Sequence, residues 1–414
     1  MIKQKNIFKF FITCVVLLGS SLSVLNQELQ HEAVAVNIEI PVRVFQKDVF
    51  CEDLNITDFE IYEDGVLQKV QAVYLVKETD ITREESQLSP VKAKEIFAPQ
   101  VSRHFVLIFE VNDYLPKLAK AIDYFFNEVF SPQDSLTIIT PLKTYSLKGD
   151  ALTKLSRDQI IGELTAKLKH DIAIANAEYK SLLKDIEDLY TKAGIYRWET
   201  SDWKTVIRDL LGNFETYRLV SEKKLLLFSE FLKNKRGQKN VFMFYQKEML
   251  PKYEPFLNSI LTSGNPEENH YTLFEFLEIT DFYHRDIDFD VKKIKRIFSD
   301  SSILFHFLLL TKTPMQNLDV GRMESLSKHG IRYAEQSEDI FHAFSEVAKA
   351  TGGITESSFN AAAAFEKAVD ASKNYYLLYY TPKNYQGDSK FHSIQVKVKG
   401  KNYRVTHRAG YIAD

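Results

Sequence analysis

The chain has 414 residues, 45% hydrophobic and 26% charged, with a formal net charge of −3 from 53 basic and 56 acidic side chains. That length suggests two or three units, and the composition supplies a sizeable apolar core. A near-balanced charge with no concentrated basic face argues against a nucleic-acid partner, so the 30 Phe and 21 Tyr are read as core rather than base-stacking platforms.

The N-terminus carries Lys3, Lys5 and Lys9, then an apolar run from Phe10 to Leu18, then Gly19-Ser20-Ser21-Leu22-Ser23. Basic, apolar and small residues in that order form a secretory signal peptide over residues 1–23, with cleavage expected after Ser23. The run is short for a spanning helix, which needs about 20 residues; an uncleaved anchor is the other reading. No further membrane insertion is expected. Cys14 follows Phe11-Ile12-Thr13 inside the apolar run, which is not the setting of a lipidated cysteine. Loss of the three lysines moves the net charge from −3 to −6 and leaves Cys51 alone. One cysteine closes no internal disulfide, so packing must supply stability. Cys51 reads as a half-buried structural thiol, with intermolecular pairing as the alternative.

Residues 33–76 read as β structure. Val34, Val36, Ile38 and Ile40 keep the two-residue period of a half-buried strand, and Val42 and Val44 continue it past Pro41, a residue suited to a sheet edge. Runs at Phe59–Glu63 and Val66–Tyr74 flank Asp64-Gly65, which favours a tight hairpin because both central residues need positive φ. Residues 77–101 are polar and charged, with Ser89-Pro90 and Ala98-Pro99, and read as a linker.

From 102 to 372 the rhythm changes. Phe105–Phe109 is a continuous apolar run, as expected of a strand buried on both faces. Leu115, Leu118, Ile122, Phe125, Phe126 and Val129 then share one helix face. Strands are expected at Ser135–Thr140, Thr144–Leu147, Asn240–Tyr245 and Ile303–Leu310, and the last helices near Ile340–Thr351 and Ala361–Ser372. Such alternation implies an α/β fold with a doubly wound, mostly parallel sheet. A helical insertion fills about residues 153–236, where Ile172, Ala175, Tyr179, Leu182, Ile186 and Leu189 recur at steps of three and four. It reads as a helical hairpin packed on itself or on the sheet; a protruding partner-binding arm is the functional alternative. Residues 373–412 return to β structure, with Tyr375–Tyr380, an alternating Phe391, Ile394, Val396 and Val398, and Tyr403–His407 after Gly400-Lys401. Neither end has many strands, so the two are expected to pair as one β-sandwich with the α/β domain inserted between them.

Four segments carry a resemblance: Leu54–Val70 with its Asp58-Phe59-Glu60-Ile61-Tyr62-Glu63-Asp64-Gly65 hairpin, Gly237–Phe244, Ala348–Ile354 with Thr351-Gly352-Gly353, and Tyr375–Pro382 with the later Arg408-Ala409-Gly410-Tyr411. In order and spacing they resemble the bacterial VWFA-related domain family of exported proteins. The resemblance spans nearly the whole mature chain. It implies a von Willebrand factor A (VWA)-like domain, a periplasmic or secreted location and a protein partner.

VWA domains typically hold a metal-ion-dependent adhesion site, Asp-x-Ser-x-Ser after the first strand, completed by a Thr and an Asp from later loops. Mg²⁺ there takes hard oxygens and keeps positions open for a partner's carboxylate. The matching positions here read Glu110-Val111-Asn112-Asp113-Tyr114, so Glu110 replaces the Asp while Asn112 and Tyr114 replace the serines. Gln246, followed by Lys247 and Glu248, stands where the later Asp would be, and Thr200 and Thr205 are candidates for the Thr. The site therefore reads as degenerate. No metal or other cofactor is expected, Mg²⁺ being the one the resemblance leaves open.

Asp286, Asp288 and Asp290 lack the Gly and Glu of an EF-hand loop, with Val291 and Ile297 in those places, and read as a solvated surface. His306 and Phe307 read as core. The ten His show no zinc-ligand spacing, and neither a Gly-x-Ser-x-Gly elbow nor a phosphate loop occurs, so no catalytic residue is assigned. The resulting expectation is an exported protein-binding or scaffold module. An exported hydrolase acting on envelope or extracellular polymers is the alternative, since triads assemble from distant positions; a purely structural envelope protein is a third reading.

Overall fold

The computed structural model describes residues 36–88, 93, 96–97, 99–195, 203–218, 220–246, 249–253, 289–311, 331–335, 338–400 and 402–413. The signal segment, Val34, Thr200, Lys247, Glu248, Asp286 and Asp288 lie outside the described residues.

Strands β1 (Ile38–Gln46), β2 (Val49–Phe50), β3 (Phe59–Glu63), β4 (Val66–Gln68), β5 (Ala72–Lys77) and β6 (Asp80–Ser86) come first. Next are β7 (Arg103–Glu110), helix α1 (Pro116–Tyr124) continuing into a π-helical turn (Phe125–Val129), β8 (Ser135–Ile139) and β9 (Thr144–Lys148). Helices α2 (Arg157–Ala175), α3 (Ala177–Ile195), α4 (Trp203–Arg218) and α5 (Glu222–Lys233) follow, then β10 (Gln238–Gln246) and β11 (Met249–Tyr253). After them come α6 (Val291–Asp300), β12 (Ile303–Leu310), β13 (Ile331–Glu335), α7 (Glu338–Thr351), β14 (Thr355–Ser358) and α8 (Ala361–Lys373). Strands β15 (Asn374–Tyr380), β16 (Phe391–Val398), β17 (Arg404–His407) and β18 (Gly410–Ile412) are last.

The protein is mixed α/β. A six-stranded sheet runs β14-β12-β10-β7-β8-β9, parallel throughout except for the β8–β9 pair. Every residue of β10 and β12 is buried, because successive side chains point to opposite faces and helices cover both. On one face Phe105, Phe109, Phe242 and Phe244 meet Leu118, Ile172 and Phe365 from α1, α2 and α8. On the other, Val241, Met243, Phe305 and Phe307 meet Ile294, Phe298 and Phe344 from α6 and α7. Rings set the spacing: Phe109 stacks on Phe244 at 4.9 Å, and Phe365 meets Phe242 edge-on at 4.9 Å.

Two antiparallel sheets each join strands from both ends of the chain. One runs β17-β1-β15-β5-β6 with β2 paired to β1, and the other β18-β16-β3-β4. Ile38 lies opposite Tyr380, and Ile61 opposite Val396. The sheets touch where Phe59 meets the Tyr376 ring at 5.1 Å. Asp64 and Gly65 have φ of 47° and 81°, the double positive that their hairpin needs.

Several expectations need correction. Residues 80–86, read as linker, form β6, a polar strand that pairs with β5 through its backbone while its side chains stay largely exposed. The helical seam through Ile172 and Leu189 is two helices broken at Asn176, whose side-chain amide turns back to donate to Ile172 O at 2.9 Å. Pro41 lies in an interior strand, not an edge one, but β17 pairs with β1 only from Val42 to Phe45, so its missing N–H disturbs no ladder on that flank. Among the described residues, no helix is long and apolar enough to cross a membrane.

Candidate functional site at the strand ends

In the parallel sheet β7 has β8 on one side and β10 on the other, so the chain winds outward from β7 in both directions. Open α/β sheets characteristically bind ligands at that reversal, outside the carboxyl ends of the strands. The residues there are the loop after β7, residues 110–114, and Gln246 at the end of β10.

Gln246 is 3% exposed, and its Oε1 accepts the backbone N–H groups of Asn112 and Asp113, both at 2.9 Å. From the other side, Asn176 at the α2–α3 break donates through Nδ2 to Val111 O at 3.1 Å. One turn into α3, the Lys180 ammonium lies 2.6 Å from the Asp113 carboxylate. Tyr114 packs half-buried against the core below, and burial pushes its phenol up. Glu110 is exposed at the end of β7, and Thr205 is exposed on α4. Beside this loop the end of β8 is tied down by Asp171, buried in α2, which accepts from Thr140 Oγ1 at 2.8 Å and Tyr145 OH at 2.7 Å. Desolvation opposes ionisation of Asp171, but these hydrogen bonds outweigh it and hold the carboxyl below its usual range.

Of the four positions singled out by sequence, the structure joins Gln246 to Asn112, and it does so through a main-chain N–H. A hard dication wants several oxygens converging on one point. Here the Gln246 oxygen faces two N–H dipoles and Asp113 is neutralised by an ammonium, an arrangement that holds a loop and does not fit Mg²⁺. Asn176, Lys180 and Asp171 were missed. The one available signal was Asn176, a residue type that competes with helical hydrogen bonding, set inside an otherwise apolar-periodic stretch.

Two other constellations bear on chemistry. His392 lies between carboxylates, with Nδ1 at 2.8 Å from Asp64 Oδ2 and Nε2 at 3.2 Å from Asp388 Oδ1. Glu63 completes a group of ligand-capable atoms within 4.8 Å, but it accepts from Tyr380 OH at 2.6 Å, and Asp64 accepts from Ser393 N and Oγ at 2.8 and 2.9 Å. These bonds make the cluster a clasp between the β3–β4 turn and the start of β16. At the opposite edge of the parallel sheet His104 and Ser135 are cross-strand neighbours with imidazole and hydroxyl hydrogen-bonded. His104 Nε2 lies 2.7 Å from Arg236 O, so the proton sits on Nε2 and Nδ1 accepts from the serine. That is the contact of a nucleophile with its base, though far from the strand-end crevice. Asp290 caps α6, accepting from Lys292 N and Lys293 N, and His306 is buried.

The chain was compared with family models, with curated proteins and with solved structures, and it matches none of them.

Proposed function

We propose that this chain is an exported protein-binding module, a VWA-like, doubly wound domain carried on a β-sandwich, and that it engages its partner without a metal. The observation that carries this reading is the Gln246 amide. It closes the crevice at the sheet reversal with two hydrogen bonds to the loop after β7, where a metal-dependent domain of this kind would place a carboxylate. The four sequence segments that resemble VWFA-related proteins support the same reading. So does α3, which lies against both strands of the antiparallel β11–β13 pair and brings Lys180 to the rim. In this proposal a protein partner docks on the preformed rim around Asp113, Lys180 and Glu110, meeting fixed charges and backbone.

The test uses the full mature chain, immobilised and exposed to envelope extract with Mg²⁺ or with EDTA, beside a Lys180→Glu variant. The expected result is a protein retained equally in both buffers and lost with the variant. Retention that needs Mg²⁺, or cleavage of an envelope polymer without retention of any protein, overturns the proposal.

A further inference from the structure

Strands β1 and β15 turn one face toward β3 and the other toward the N-terminal edge of the parallel sheet. On the second face Arg43, 2% exposed, lies over the Tyr375 ring with Cζ 5.3 Å from its centroid. His306 of β12, 1% exposed and stacked on Phe242 at 4.7 Å, faces the same seam, close enough for the Arg43 charge to act on it.

Among the described residues, Arg43 Nε, Arg43 Nη2, His306 Nε2 and Tyr375 OH have no hydrogen-bond partner. The His306 ring takes the Ile354 N–H on Nδ1 at 3.3 Å, which puts its own proton on Nε2. Burial first, and the Arg43 charge second, lower His306 to about 3, so the ring is neutral. All four atoms can therefore donate. Burial lowers Arg43 only to about 10, so the guanidinium stays charged at neutral pH.

The neighbouring buried arginines are matched. Arg103 grips Asp134 with two bonds of 2.9 and 2.7 Å, and Arg408 donates to Glu39 O at 2.7 Å and Ser302 Oγ at 2.8 Å. Arg43 makes no such ion pair among the described residues. An uncompensated buried charge is costly, and water would satisfy its donors without balancing it. Tyr375 also borders a small cavity with Arg103, Phe105, Asn240 and Ser372.

We infer that Arg43, Tyr375 and His306 form an interior binding site for a small monovalent anion of the chloride class, seated in the seam between the antiparallel and parallel sheets. The guanidinium supplies charge and two N–H groups, and the phenol and imidazole supply the remaining donors. Bound there, the anion ties β1 and β15 to β12.

The probe is halide itself. The melting temperature of the purified full chain is measured in sodium chloride, sodium bromide and sodium gluconate at matched ionic strength. Both halides should raise it over gluconate, with a shift that grows as the logarithm of halide concentration, and Arg43→Met should abolish the difference. Should that variant fail to fold, wild-type crystals grown in bromide decide by anomalous scattering. A bromide peak within hydrogen-bond distance of the Arg43 guanidinium, with halide-dependent melting, supports the site. Water alone at that position, melting that ignores halide, or a peak reflecting binding at crystal concentration only overturns it.

Discussion

Replacing Gln246 by Leu removes one acceptor from a nearly fully buried position while keeping much of the side-chain volume. Two N–H groups, those of Asn112 and Asp113, lose a 2.9 Å partner at once. Each hydrogen bond is worth about 1 kcal/mol net, and a buried donor left without a partner costs about 1–3 kcal/mol. Both donors are only partly buried, so the low end applies and the total is about 2–4 kcal/mol. For a chain this long, 1 kcal/mol moves the melting temperature by about 2 °C, which predicts a fall of about 4–8 °C by calorimetry. Gln246→Glu is the control, because its carboxylate reaches the same two N–H groups with charge assistance. It should melt within about 2 °C of the wild type. The wild type should melt alike in Mg²⁺ and in EDTA. A Leu variant indistinguishable from wild type, a Glu variant as damaged as the Leu one, or a wild type that Mg²⁺ stabilises would each refute the reasoning.

Asp134→Ala should cost about 3–5 kcal/mol in urea unfolding, because it strands the Arg103 guanidinium in the interior; a loss under about 1 kcal/mol would contradict the pairing's role. His392 ties pH to stability. Burial opposes its protonation, but Asp64 and Asp388 outweigh that and push its pKa up. A raised folded value means that its contribution is fully present below about pH 6.5 and is lost as pH rises through the folded pKa. Asp64 and Asp388 are lowered, so their contribution is lost at the acid end as pH falls through their folded values. His392→Gln should flatten the alkaline limb of melting temperature against pH, and an unchanged limb would count against the clasp. Gly353→Ala should prevent folding, since the new Cβ would lie 1.8 Å from Phe305 O, whereas Gly162→Ala meets nothing within 4 Å in α2 and should stabilise by about 0.5–1 kcal/mol. Equal behaviour of the two alanine variants in a thermal-melt screen would refute that assignment.

The elements readable from sequence are those whose burial dictates composition. Phe105–Phe109 and Ile303–Leu310 are apolar without interruption because parallel strands between two helical layers have no solvent side. Strand β6 gave the opposite signal: Asp80–Ser86 is held by main-chain bonds to β5 at a sheet edge, so its side chains carry no apolar period. The same holds for β14, whose Thr-Glu-Ser-Ser run pairs with β12 at the sheet margin. The α2–α3 break escaped notice because Ile172, Tyr179 and Ile186 stay on a buried face across it, and spacing alone cannot show that Asn176 has turned its amide onto Val111 O.

The strand-end crevice was legible as a place but not as chemistry, and charge explains why. A motif match counts side-chain oxygens at Glu110, Asn112, Tyr114 and Gln246, whereas the structure recruits main-chain N–H groups to the one oxygen it uses. A carboxylate at 246 would add to the negative charge of Asp113 and Glu110 around one loop, and a dication would be the natural counterweight. A neutral amide offers the same acceptor geometry with no charge to balance, and Lys180, arriving from a helix 67 positions further along the chain from Asp113, neutralises the carboxylate that remains. Gln246 and Lys180 therefore act as a pair, and the Gln246→Glu exchange separates their parts. It keeps both hydrogen bonds but restores the negative charge, so if charge is what excludes the metal, Gln246→Glu should gain a Mg²⁺-dependent rise in melting temperature that wild type lacks. Should the Glu variant ignore Mg²⁺ as wild type does, the geometry of the two N–H donors, and not the charge of position 246, is what keeps a cation out.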